Sequence, residues 1–241
     1  MNRGAVGFVA TACLALSMLA STGCVVRVRT RLTATGHIEP TITSWKSISS
    51  ATGGITLQSK GSADMPTLII QTVHKSVPKD KPVDLVFVVD TTGSMQDDID
   101  SVRKKMKQIT LELSKRNPSY RVGVNAYRDK GDDYVAKTYL KLSEDEDAIF
   151  KAMNKLKADG GGDVREHVYA GLDTALREQP WRNGVSHHII LIGDAPPHDD
   201  YKKDKRNYDS IVSLSRKEEV KINTIGVYCN KICQGAIASG L

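Results

Sequence analysis

The segment Leu85-Val86-Phe87-Val88-Val89-Asp90-Thr91-Thr92-Gly93-Ser94-Met95 decides how this chain is read. Its bulky apolar run has no polar alternation, which suits a strand buried on both faces, as in a parallel sheet covered by helices. Such a strand ends at a crevice on the carboxyl edge of its sheet, where α/β proteins hold ligands. Asp90, Thr92 and Ser94 fall at alternate positions just past the run, and Gly93 permits the turn. One carboxylate and two hydroxyls converging on a point are hard oxygen donors, suited to a divalent cation.

The pattern after the loop supports that placement. Met95, Ile99, Val102, Met106, Ile109 and Leu113 recur at spacings of three and four, predicting an amphipathic helix over 95–115 that ends before Pro118, with Ser94 as its N-cap. Asp97, Asp98 and Asp100 sit in its first turns, where negative charge complements the helix dipole, so they read as helix-stabilising rather than catalytic. Downstream, strand patterns at Leu85–Asp90, Tyr120–Tyr127, Tyr134–Leu140, His188–Gly193 and Lys221–Tyr228 alternate with helix patterns near 95–115, 144–157, 165–178 and 206–217, the second carrying a capping box of Ser143 with Glu146. This alternation predicts an α/β domain, doubly wound, with a mostly parallel central sheet and helices on both faces. The strand near Tyr134 comes directly after another strand and is expected as an antiparallel edge.

Three further segments carry candidate chemistry. Ile189-Ile190-Leu191-Ile192-Gly193-Asp194-Ala195-Pro196-Pro197-His198 repeats the first junction: an apolar run ends in one acid, and two prolines forbid an immediate helix. If the two strands are neighbours, Asp194 meets Asp90 across the crevice. Gly160-Gly161-Gly162-Asp163 allows close backbone approach and puts Asp163 near a helix start; read alone it is equally a plain connection. Arg128-Asp129-Lys130-Gly131-Asp132-Asp133 ends another strand, with Asp129 either on the crevice rim or neutralised within a solvated turn.

The 241 residues carry a net charge of +6, but the basic residues are scattered among acids, which does not imply a nucleic-acid surface. Residues 1–23 read as a signal peptide: Arg3, then an apolar stretch from Ala5 to Ala20, then small residues leading to Cys24. Residues 24–82 are rich in Thr, Ser and Gly, with alternating stretches at Val25–Leu32 and Thr67–Val73 that read as short strands; a tether and β-rich N-terminal segment is expected there, with the main domain over 83–241. Cys13 leaves with the signal. Cys229 and Cys233, four apart, can close a local disulfide in an oxidising compartment, whereas a zinc site lacks further nearby ligands.

Asp-x-Thr-x-Ser after a buried strand, the Gly-Gly-Gly-Asp turn and the Asp194 strand end, in that order over residues 83–241, resemble a von Willebrand factor type A (VWA) domain with its metal-ion-dependent adhesion site, in the form seen in bacterial members. The resemblance implies a Rossmann-like sheet with Mg²⁺ or Mn²⁺ at its upper edge, Ca²⁺ being the alternative. It implies that Thr92 and Ser94 ligate the metal directly, and that Asp90 and Asp194 act directly or through water. The family's second-loop threonine has no counterpart, since Val164 stands next to Asp163, so Asp163 is taken as the substitute ligand. The family's last strand and closing helix also have no counterpart after Tyr228, so the domain reads as C-terminally short, with an exposed sheet edge. Leu19-Ala20-Ser21-Thr22-Gly23-Cys24 resembles a bacterial lipoprotein signal, which implies a lipid on Cys24, although Ser21 stands where an aliphatic residue is usual. Cleavage near Ala20 and an uncleaved anchor are the alternatives.

These readings predict a non-catalytic, cation-dependent binding module of the cell envelope. It would be lipid-anchored at an outer membrane or cell surface, or else periplasmic or secreted, and would engage a protein partner that offers an acidic residue to the metal. No Ser-His-Asp order, HExxH helix or P-loop accompanies the site. The alternatives are a structural surface lipoprotein with a vestigial site and a metal-dependent hydrolase or phosphotransferase, with His198 as its base.

Overall fold

All eight residues of strand β2 (Val83–Asp90) are buried, as a strand covered on both faces requires. In the computed structural model, which describes residues 30–199 and 204–239, β2 lies between β3 (Tyr120–Tyr127) and β5 (Ser186–Gly193), parallel to both. The sheet continues through β6 (Val220–Gly226) to β1 (Thr56–Gln58) on one side, and to β4 (Ala136–Ser143) on the other, giving the order β1-β6-β5-β2-β3-β4. Only β4 runs antiparallel, at the edge, as its helix-free connection to β3 predicts.

Alternate residues of β2 feed two cores. Leu85, Phe87 and Val89 pack with α2 (Met65–Ser76), α3 (Gln96–Arg116) and α4 (Glu146–Lys155), while Val86 and Val88 pack with α1 (Glu39–Thr52), α5 (Val168–Glu178) and α6 (Tyr208–Lys217). Every apolar position of the stripe predicted over 95–115 is buried: Met95 just ahead of α3, and Ile99, Val102, Met106, Ile109 and Leu113 within it. At roughly 25 cal/mol per Å² of apolar surface, a continuous stripe of this size outweighs the weak intrinsic propensity of any one turn.

Several local expectations are corrected. Residues 24–82 are not β-rich where described. Thr67–Val73 lies inside α2, whose buried residues Met65, Ile69, Thr72 and Val73 follow the helical period with Pro66 in the first turn. Of the strand expected at Val25–Leu32, residues 25–29 lie outside the described residues, and Leu32 makes a single antiparallel bridge to Ile38. Strand β1 pairs with β6 in the same sheet, Thr56 opposite Thr224, so the edge expected to be exposed beside β6 is covered from the N-terminal side. A further helix, α7 (Lys231–Ser239), comes after β6. Ser94 does not cap α3, because Gly93–Met95 forms a 3₁₀ turn before it. The cap of α4 is Asp145, whose carboxylate accepts from Ala148 N, in place of Ser143.

Candidate metal-binding crevice

The parallel pairing of β2 with β5, Val89 opposite Ile192, delivers Asp90 and Asp194 to the same edge of the sheet, both with less than 4% of their surface exposed. Asp90 Oδ1 accepts from Thr92 N at 2.9 Å and from the Thr92 hydroxyl at 2.7 Å. The Ser94 hydroxyl donates to the Asp194 carboxylate. Hydroxyls that donate their protons to carboxylates leave their lone pairs outward, toward a cavity of about 90 Å³ whose wall includes Thr92, Ser94, Gly161, Asp163, Glu166 and Asp194.

The glycine loop closes over this arrangement. Gly93 N donates to Gly160 O at 3.2 Å and Asp159 N to Thr91 O at 3.0 Å, so the first and second loops are stitched backbone to backbone. Gly161 has φ +84°, and a Cβ there would lie 3.2 Å from Glu166 Oε1 and 3.3 Å from Thr92 Cβ. Across the crevice, a Cβ on Gly193 would stand 2.6 Å from the Tyr127 hydroxyl and 2.8 Å from Asp90 Cβ. Both glycines keep side-chain atoms out of the space where the oxygens gather. Asn230 ties in the far wall: its Nδ2 donates to Ser94 O at 2.6 Å, while its Oδ1 accepts from Ile232 N and Cys233 N in the first turn of α7. Thr41 of α1 donates to Asp194 O at 3.1 Å.

Glu166, which carries no motif that marks it in the sequence, is the other acid of the crevice. It is 3% exposed, and its Oε2 has no hydrogen-bond partner, a condition it shares with Asp90 Oδ2, which faces the Tyr127 hydroxyl. Burial, then repulsion from Asp90 and Asp129, pushes the Glu166 carboxyl far up, above neutrality. Burial, then Asp194, raises Asp90 in the same way, and burial raises Asp194 against the pull of the Ser94 hydroxyl. Asp98, placed on sequence grounds among helix-stabilising acids, is in fact buried beneath the loop and pushed up to about 7 by burial and by Asp194. Like charges held in a low-dielectric pocket cannot all ionise unless a positive charge joins them. Two buried carboxylate oxygens without partners, beside two hydroxyl lone pairs, therefore fit a hard divalent cation.

Of the residues expected at the site, Asp90, Thr92, Ser94 and Asp194 come together. Asp163 lines the same crevice, but it is half exposed, its Oδ1 accepts from Arg165 N at 2.6 Å, and that oxygen lies 3.7 Å from His198 Nε2. Asp129 faces His198 at 3.2 Å, whereas Arg128 reaches Lys157 O and Asp133. Cys229 and Cys233 form the expected disulfide, with S–S 2.01 Å. Cys24 lies outside the described residues. Among the described residues no helix is long and apolar enough to cross a membrane.

Comparison with known proteins places this architecture. The chain is 25% identical over 131 residues to the alpha-protein kinase vwkA of Dictyostelium discoideum, an alignment covering 54% of this chain and 21% of that protein. It is 24% identical over 174 residues to human integrin beta-4, covering 63% of this chain and 9% of the integrin, and 22% identical over 189 residues to human integrin beta-6, covering 65% and 24%. The chain thus spans less than a quarter of the length of these relatives. The SpRpn10 VWA domain aligns in structure with a TM-score of 0.47 at 15% identity, over 67% of this chain and 82% of that one. The family model described as von Willebrand factor A domain matches residues 84–232, from the start of β2 into α7, and the chain belongs to that family.

Proposed function

We propose that the crevice holds a divalent cation, Mg²⁺ or Mn²⁺, and presents it to an acidic residue of a protein partner. The observation that carries this reading is the set of three buried carboxylates, Asp90, Glu166 and Asp194, two of them with a partnerless oxygen, gathered beside the Thr92 and Ser94 hydroxyls. Thr92, Ser94, Asp90 and Asp194 hold the ion, and Glu166 takes the second-loop position assigned to Asp163 on sequence grounds. The bound cation supplies an electrophilic centre whose remaining coordination sites a carboxylate from outside can enter in place of water. The crevice opens beside α7, where Ile232 is exposed and Cys233 and Ala236 line the wall, so a visiting segment meets an apolar surface next to the cation. A binding role is supported by the family and by the integrin relatives. The same reading makes the protein an envelope lipoprotein anchored through Cys24, a proposal that rests on the signal-like N-terminus.

Thermal denaturation tests the cation. A ligand that binds only the native state stabilises by about 2.7 kcal/mol at a hundredfold excess over its dissociation constant. Mg²⁺ should raise the melting temperature, and Asp90→Ala and Ser94→Ala should abolish the rise; an unchanged rise in both variants would refute the ligand assignment. Affinity capture in Mg²⁺ and again in chelator tests the partner, which should be lost with chelator. Fractionation of Cys24→Ser tests the anchor, since the variant should leave the membrane.

A further inference from the structure

The displaced Asp163 belongs to a different constellation. Asp129 lies just past β3, Asp163 ends the glycine loop and His198 lies past β5, yet one ligand atom from each lies within 4.8 Å of the others. His198 Nε2 is 3.2 Å from Asp129 Oδ1 and 3.7 Å from Asp163 Oδ1. Donor atoms sharing a tetrahedral ion at bond lengths of about 2.0–2.2 Å stand roughly 3.3–3.6 Å apart, so both carboxylates already lie near that spacing from the imidazole nitrogen. Asp129 and His198 are buried and Asp163 is half exposed.

A second observation points the same way. Glu166 is held against this group by its backbone, its carbonyl accepting from His198 N at 3.3 Å and its N–H donating to Pro196 O at 3.1 Å. Its buried side chain ends in an oxygen with no partner, and it is repelled by Asp90, Asp129, Asp194 and Asp132. Acids in such number around one imidazole make a strongly negative pocket beside the first.

We propose that Asp129, Asp163 and His198 form a second cation site, adjacent to the first and distinct from it, that takes a first-row transition ion such as Mn²⁺ or Zn²⁺. The imidazole sets the preference. Mg²⁺ favours an all-oxygen shell, whereas a nitrogen donor suits the transition series. The two sites divide the crevice by chemistry: hydroxyls and carboxylates at the ends of β2 and β5, and imidazole with carboxylates beneath the glycine loop. Glu166 is the wall they share. The competing state is an ion pair of protonated His198 with Asp129 and Asp163.

The test is electron spin-echo spectroscopy of the full chain titrated with Mn²⁺, which detects a directly bonded ¹⁴N nucleus, combined with counting of bound Mn²⁺. Wild type should bind two ions, one of them with ¹⁴N modulation. His198→Gln should lose one equivalent together with the modulation and keep the other ion, which also shows that the variant is folded. Asp129→Asn should weaken the ¹⁴N-coupled ion at least tenfold. Asp90→Ala with Ser94→Ala should lose the ion without ¹⁴N coupling and keep the coupled one. Mn²⁺ binding to wild type with no ¹⁴N modulation, or modulation that survives His198→Gln, overturns the second site. A single, ¹⁴N-coupled ion in wild type supports the second site and counts instead against the first.

Discussion

Replacing Glu166 with Gln removes one buried acid while keeping nearly the same shape, and the structure sets both the sign and the size of the effect. The native carboxyl is pushed above neutrality by burial and by Asp90, whereas in the unfolded chain it titrates at its ordinary 4.5. A group whose pKa is raised on folding contributes fully below its unfolded pKa, and that contribution is lost as pH rises toward the native value. At pH 7 the unfolded glutamate is ionised and must take up a proton to enter the metal-free site, at a cost of about 1.4 kcal/mol per pH unit above 4.5, or about 3 kcal/mol. This figure depends only on the native pKa lying above 7. In chelator, then, Glu166→Gln should match wild type at pH 4.5 and exceed it by about 3 kcal/mol at pH 7, with the gap widening steadily between. Urea denaturation of both proteins at half-unit intervals of pH measures it. Adding Mg²⁺ should narrow the gap, because the cation favours the ionised carboxylate that Gln cannot supply. Equal stability at pH 7 in chelator, or a gap that does not grow with pH, would refute the account of Glu166 as a buried acid awaiting a positive charge.

Other perturbations have equally definite outcomes. Gly193→Ala drives a methyl against the Tyr127 hydroxyl and Asp90 Cβ, and should cost about 1–3 kcal/mol while shrinking the Mg²⁺-dependent rise in melting temperature. Asn230→Ala removes the cap of α7 and the bond to Ser94 O; a loss of about 1 kcal/mol with weakened Mn²⁺ binding is expected, measured by denaturation and by titration calorimetry. At the opposite end of β2, burial of Asp84 opposes ionisation, but hydrogen bonds from Arg121 and Arg182 outweigh it and hold the carboxyl below its ordinary 3.8. Asp84→Ala should therefore destabilise by about 3–5 kcal/mol without changing cation affinity. Because its native pKa is depressed, the contribution of Asp84 is present above pH 3.8 and fades as pH falls through the native value, so variant and wild type should converge in strong acid.

The sheet is legible in the sequence where burial is symmetric. The apolar runs of β2 and β5 admit no amphipathic reading and the acids that end them face the carboxyl edge, but that the two strands are neighbours, and so bring Asp90 to Asp194, is shown only by the fold. Thr67–Val73 reads wrongly as a strand because its β-branched residues favour one locally, while packing of α2 against α3 imposes the helical period. The cover over β6 is hidden because strand pairing between positions as distant as Thr56 and Thr224 leaves no local trace. Glu166 escapes notice for a related reason: an acid just ahead of a helix ordinarily complements the dipole, and only the fold shows that the irregular segment before α5 turns it inward. His198 resembles a loop histidine until the fold brings Asp129 and Asp163 to it.

A crystal soaked in Mn²⁺ and measured for anomalous scattering addresses the central claim most directly. The account predicts a peak in the crevice ligated by Thr92 and Ser94, with Asp90 and Asp194 turned toward it. A crevice without a peak, or Asp90 and Asp194 pointing away from any bound ion, would contradict it.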